Sequence, residues 1–142
     1  MNVMKLSLFI KKGIFVSLLF VALTSCEKRV TPNKVDRIIQ KGSWRMSSFV
    51  FQGASIQLDY LNNVFSFEDD GVVYITSNLA PVTGKWSVSI DKKPTHLYFY
   101  EFLTAPHDKL EDDWVVNTIS NTDFTMESDN GSYVNTITFT KI

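Results

Sequence analysis

The chain has 142 residues, 44% of them hydrophobic, 13% aromatic and 20% charged, with 14 basic against 15 acidic side chains and a single cysteine. One domain is expected at this length, and the hydrophobic content excludes a disordered or collagen-like chain. The near balance of charge leaves no basic excess to grip a phosphate backbone, and a lone cysteine forms no intramolecular disulfide. Nucleic-acid binding and a disulfide scaffold are therefore both set aside.

Residues 1–25 read as a secretory signal. Lys5, Lys11 and Lys12 precede an apolar run from Ile14 to Ala22, and Leu23-Thr24-Ser25-Cys26 follows it. The run is shorter than the roughly 20 apolar residues of a spanning helix, so cleavage is expected rather than retention in the membrane. Leu23-Thr24-Ser25-Cys26 resembles the bacterial lipobox, in which the cysteine receives diacylglycerol and becomes the mature N-terminus. The resemblance implies that Cys26 is lipidated and that residues 26–31 form a tether to the membrane. A diacylglycerol with a further amide-linked chain such as palmitate anchors durably where one chain binds reversibly. The signal removes three lysines and no acid, so eleven bases and fifteen acids remain and the mature net charge is near −4. That charge disfavours docking on an anionic membrane, and the body is expected to stand off on its tether. Glu27-Lys28-Arg29-Val30 does not resemble the acid-rich stretch that sends some Bacteroidota lipoproteins to the cell surface. The implied location is the cell envelope, at the periplasmic face of the outer membrane.

Residues 32–142 form the folded domain. Thr31-Pro32 supplies an N-cap and a first-turn proline, and Val35, Ile38 and Ile39 recur at helical spacing before Gly42, which predicts one short helix. The period then drops to 2. Eight strands are predicted: Trp44 to Phe51, Asn63 to Glu68, Val72 to Ser77, Thr83 to Ile90, His96 to Phe102, Trp114 to Ile119, Asp123 to Glu127 and Ser132 to Lys141. Asp69-Asp70-Gly71 and Asp129-Asn130-Gly131 are hairpin signals, because glycine accepts the positive φ of tight turns. Trp86, Val88 and Ile90 face one way and Lys85, Ser87 and Ser89 the other. His96 to Phe102 is apolar on both parities, so the face carrying Tyr98, Tyr100 and Phe102 is expected to be covered by the helix, a loop or another protein. Only Gln52 to Asn62 and Leu103 to Asp112 are long connections. The simplest topology is an all-β, eight-stranded antiparallel up-and-down barrel with a short N-terminal helix. Its interior is just wide enough to be filled by side chains or to hold one small ligand.

Gly42-Ser43-Trp44, just after the helix and at the start of the first strand, resembles the G-x-W signature of lipocalins. With the lipobox, Phe65-Ser66-Phe67 before Asp70-Gly71, Gly84-Lys85-Trp86, the Trp114 strand and the terminal Thr136-Ile137-Thr138-Phe139, the chain resembles the small lipocalin-like lipoproteins of Bacteroidota over nearly all of its mature length. In lipocalins this tryptophan closes one end of the barrel, so Trp44 is expected to be buried there beneath Ile38 and Ile39. The chain is shorter than a full lipocalin, and no later motif supplies the family's buried arginine.

Catalytic and metal chemistry find little support. His96 and His107 have no cysteine or His-x-His partner, so a zinc site would need distant carboxylates, and both read as surface or loop residues. No Gly-x-Ser-x-Gly or Ser-x-x-Lys motif occurs, and with Cys26 acylated no thiol nucleophile remains. Glu68-Asp69-Asp70 and Glu111-Asp112-Asp113 lack the spacing of a calcium loop and read as solvated turns. No enzyme activity and no cofactor is implied. Two binding functions remain. The first is a membrane-anchored lipocalin-like barrel that holds a small apolar ligand among Phe65, Phe67, Trp86, Val88 and Phe99. The second is a filled, rigid barrel that meets an envelope protein or a glycan through its outer face and long loops, with Tyr98, Tyr100 and the Leu103 to Asp112 segment as the surface.

Overall fold

The computed structural model describes residues 29–142; the signal segment, Cys26 and the first tether residues lie outside the described residues. Helix α1 spans Pro32–Ile39. Thr31 is extended, and its carbonyl accepts hydrogen bonds from the amides of Lys34 and Val35, each at 3.0 Å. Its hydroxyl caps nothing, so the proline in the first turn and the apolar face define the helix start. That face, Val35, Ile38 and Ile39, is buried.

Nine strands follow: β1 Ser43–Phe51, β2 Ala54–Ser55, β3 Val64–Phe67, β4 Val72–Thr76, β5 Val82–Val88, β6 His96–Tyr100, β7 Asp112–Ile119, β8 Asp123–Asp129 and β9 Val134–Lys141. Each barrel strand pairs antiparallel with the next in sequence, and β1 also pairs with β9 from Trp44↔Lys141 to Val50↔Thr136. The result is a closed, eight-stranded, up-and-down antiparallel barrel. β2 was not expected; it is a short ribbon added to the far end of β1 through Val50↔Ser55 and Phe51↔Ala54.

Two irregularities correct the simple alternation. On a straight strand Phe49 would point away from Trp44, but a register shift between Met46 and Ser48 turns Trp44, Met46 and Phe49 all inward. A second shift between Val116 and Thr118 does the same for Trp114, Val116 and Ile119. β5 stops at Val88, so Ile90 does not continue the inner row and is exposed. β6 stops at Tyr100 because Glu101 takes φ +62°, which turns Phe102 into the core instead of onto the outer face with Tyr98 and Tyr100.

The barrel has two different ends. At the helix end, where β1 begins, α1 closes the opening beside the β3–β4, β5–β6 and β7–β8 turns. At the loop end the two long connections fold inward as 3-10 turns, Gln57–Tyr60 and His107–Leu110, and bury Tyr60, His107 and Leu110. Each indole N–H donates to a backbone carbonyl: Trp44 to Ile39 at the end of α1 at 2.8 Å, Trp114 to Leu110 at 2.8 Å, and Trp86 to Glu68 and to Val72 at the start of β4 at 3.2 and 3.1 Å. The three largest core side chains thus fasten the helix, the loop-end plug and the β3–β4 turn to the barrel.

Candidate functional site

The barrel interior is occupied by rings that meet on its axis. The Phe67 ring of β3 lies 6.0 Å from Phe99 of β6, three strands away in one direction, and 6.4 Å from Phe124 of β8, three strands away in the other. It also meets Trp86 at 5.7 Å and Phe139 at 6.3 Å, while Phe65 packs on Phe139 at 5.0 Å. Nearer the loop end, Phe49 of β1 reaches Trp114 of β7 at 6.1 Å. Phe65, Phe67, Trp86 and Phe99 are all buried and in contact with other core rings, and Val88 is half-buried at the edge of the same core. The residues singled out as a ligand lining are brought together, but they fill the space between them.

The loop-end plug buries two titratable groups, His107 and Tyr60. His107 is buried, not at the surface, and stands 5.7 Å from the Tyr60 ring and 6.4 Å from Phe102. Asn63 Nδ2 lies 2.9 Å from its Nε2, which leaves the proton on Nδ1, and Nδ1 has no hydrogen-bond partner. Burial lowers the His107 pKa below 6.5, against a smaller opposing pull from Asp108. Burial likewise raises the pKa of the Tyr60 hydroxyl, which donates to the Pro106 carbonyl. No sequence motif marked this arrangement, because its members come from two connections 44 residues apart.

On the outer wall of β6, Tyr98 and Tyr100 do not form a common apolar face. Tyr98 is half-buried, stacked on His96 at 6.3 Å with the Lys92 ammonium 5.3 Å from its centroid. Lys92 pairs with Asp113 at 2.8 Å, and His96 hydrogen-bonds the other oxygen of that carboxylate. Burial raises the Asp113 pKa, but the bonds from Lys92 and His96 outweigh it and hold the carboxyl below its usual range. Tyr100 stays 39% exposed. The cover sought for this strand is therefore polar and local.

Exposed apolar side chains gather at the loop end. Leu58 (79% exposed) and Leu61 sit on the β1–β3 connection, Leu79 (83%) on β4–β5, Leu103 (92%) on β6–β7, and Tyr133 on β8–β9. All four connections of that end contribute. At the helix end Ile90 is similarly exposed, at the lip of a groove of about 840 Å³ on the outside of the barrel. The groove runs between Arg29 to Pro32 and the β5–β6 loop, with Val115, Asn117 and Glu127 as its floor. Among the described residues no group of three or more metal-ligating side chains occurs, and no helix is long and apolar enough to cross a membrane.

No family model and no curated protein matches the chain. Among solved structures it is similar to the crystal structure of a DUF4847 family protein from Bacteroides vulgatus, at a TM-score of 0.50 and 12% identity, covering 75% of this chain and 96% of that one. At that identity the likeness is one of fold, an antiparallel barrel shared with a Bacteroides protein.

Proposed function

We propose that this protein is a non-catalytic, lipid-anchored barrel of the cell envelope whose binding surface is external, formed by the exposed leucines of the loop end and directed at a protein partner. The observation that carries the reading is the filled interior: rings from walls three strands apart touch on the axis, and both ends are closed. A lipocalin-like calyx holding a small apolar ligand would need that volume. The resemblance to lipocalin-like lipoproteins then extends to architecture and anchoring, while the binding mode is that of a solid module. Supporting the partner surface, Leu58, Leu79 and Leu103 stand clear of the core on separate connections of one end. An exposed apolar patch collected from several loops marks a contact with another protein more often than a solvent face.

The test uses an environment-sensitive fluorescent fatty acid and the unlipidated domain. A filled barrel shows no saturable probe binding, and Val88→Trp destabilises it by about 1–3 kcal/mol through overpacking. Saturable binding abolished by Val88→Trp, with stability unchanged, would restore the calyx. The anchor is tested separately: Cys26→Ala moves the protein from the membrane to the soluble fraction, and unchanged partition removes the lipoprotein reading.

A further inference from the structure

We infer that the protein does not stand off its membrane but lies against the phospholipid surface, with the β5–β6 loop, Ser89 to Thr95, in the headgroup layer. The inference rests on lipidation of Cys26 and adds an orientation to it. Thr95 Oγ1 donates to the Val30 carbonyl at 3.1 Å, and Val30 packs against the core, so the chain is fastened to the barrel four residues after the anchoring position. Arg29 is three positions beyond Cys26, and an extended chain spans at most about 3.6 Å per residue, which keeps Arg29 within about 11 Å of the acylated residue. Only Glu27 and Lys28 lie between the anchoring position and the described chain, too short a length to lift the body away.

Arg29 lines the same groove as the loop, so the first surface the membrane meets is this one. Its chemistry suits an interface. Ile90, 79% exposed, offers an apolar tip for the acyl boundary. Lys93 and Arg29 flank it, and neither makes an ion pair among the described residues. Lys92 reaches back to Asp113 and contributes less. The acids nearby are Asp91 on the loop and Glu127 on the groove floor, and Glu68, Asp69 and Asp70 occupy the neighbouring turn of the same end. These acids prevent a broad electrostatic footing and confine contact to the loop and tether. The net charge near −4, which argued for standing off, is thus overridden by the shortness of the tether and the local placement of Ile90, Lys93 and Arg29. The exposed leucines of the loop end point away from the anchoring membrane.

The mature chain, coupled through the Cys26 thiol to maleimide-lipid in vesicles of phosphatidylcholine and phosphatidylglycerol containing brominated phospholipid, reads the orientation directly. Its three native tryptophans are buried, so quenching of the parent is the background against which a tryptophan added at an exposed position reports its depth. Ile90→Trp is expected to lose emission to the brominated lipid, Leu79→Trp at the loop end to keep it, and both to melt with the parent. In the Ile90→Trp background, Arg29→Glu with Lys93→Glu is expected to weaken the quenching. Quenching of Leu79→Trp equal to that of Ile90→Trp, or of neither, overturns the orientation, and undiminished quenching after charge reversal overturns the part given to Arg29 and Lys93. Because the anchor is installed chemically, the outcome is independent of whether cells acylate Cys26, which the fractionation of Cys26→Ala reads on its own.

Discussion

Trp44 shows how much one side chain can organise. Its indole N–H holds the last carbonyl of α1, its ring packs edge-on to Phe124 at 4.9 Å, and the Lys141 ammonium lies 5.8 Å from its centroid. Gly42 is required beside it by the backbone, because φ is +101°; a Cβ there would meet only the flexible end of Lys141. The Gly42-Ser43-Trp44 triplet was legible, whereas the cation over its ring was not, because that cation comes from the other end of the chain. Lys141 stands directly opposite Trp44 in the β1–β9 register. Trp44→Ala is expected to cost about 3–5 kcal/mol. Trp44→Phe, which keeps a ring but strips the Ile39 carbonyl of its donor, should cost about 1–3 kcal/mol. Urea unfolding of the two variants separates the packing from the hydrogen bond.

His107 supplies a pH dependence whose sign follows from its burial. In the unfolded chain the imidazole takes a proton near pH 6.5, while in the fold burial lowers the pKa, so below that value the unfolded state binds more protons. Stability is intact above about pH 6.5 and falls as the pH drops from there to the folded pKa, by at most about 1.4 kcal/mol per unit. Asp113, with its depressed carboxyl, stays ionised over this range; its own contribution is lost only in more acidic solution. Urea midpoints at about pH 7.5 and about pH 5.5 should differ for the parent and draw together in His107→Gln. An equal difference in the variant would show that the slope arises elsewhere.

Among the elements, the helix and the order of eight barrel strands could be read from period and turn chemistry, since Pro32, Gly42, Gly71 and Gly131 punctuate the pattern where the chain turns. Positions where the pattern changes phase within a strand could not. A bulge shifts inward and outward rows by one residue without a residue type that announces it, as at Met46 to Ser48. Glu101 is another such point, a non-glycine at positive φ that reverses the parity of Phe102. The second glycine triplet, Gly84-Lys85-Trp86, gains its meaning only from that reversal. A Cβ on Gly84 would lie 2.3–2.6 Å from Phe102 ring atoms, so the ring rests on bare backbone of β5. Gly84→Ala is expected to destabilise by about 1–3 kcal/mol, with most of the loss absent when Phe102→Leu is already present. Additive losses in that double-mutant cycle would separate the two positions.

At the scale of the molecule, composition and patterning led to a closed barrel but left open whether it was hollow. The aromatic residues that would line a calyx are the same ones that fill it, and only the meeting of Phe67 with Phe99 and Phe124 distinguishes the two. The long connections carried the other unread information: the Leu103 to Asp112 segment reads as an outer surface and His107 as a surface or loop residue, yet Tyr60, His107 and Leu110 turn inward while Leu58 and Leu103 turn outward. Replacing Leu58, Leu79 and Leu103 together with serine should leave melting nearly unchanged, each exposed position contributing within about 0.5 kcal/mol. Earlier elution from a hydrophobic-interaction column would accompany it, and unaltered retention would discount the rim as an adhesive surface.

The ladder between β1 and β9 sets the timing of folding. Trp44 pairs with Lys141, and the Ile142 amide donates to the Ser43 carbonyl, so the seam joins residues almost a hundred positions apart. Until the last ten residues have arrived, a chain emerging N-terminus first has a complete helix and seven strands' worth of sequence but no partner for the first of them, and Trp44 lacks its lid. Contacts of such long sequence separation form late and slowly. A barrel sealed by its final strand therefore stays open at that seam until the strand docks, and becomes a solid body in its last step of folding.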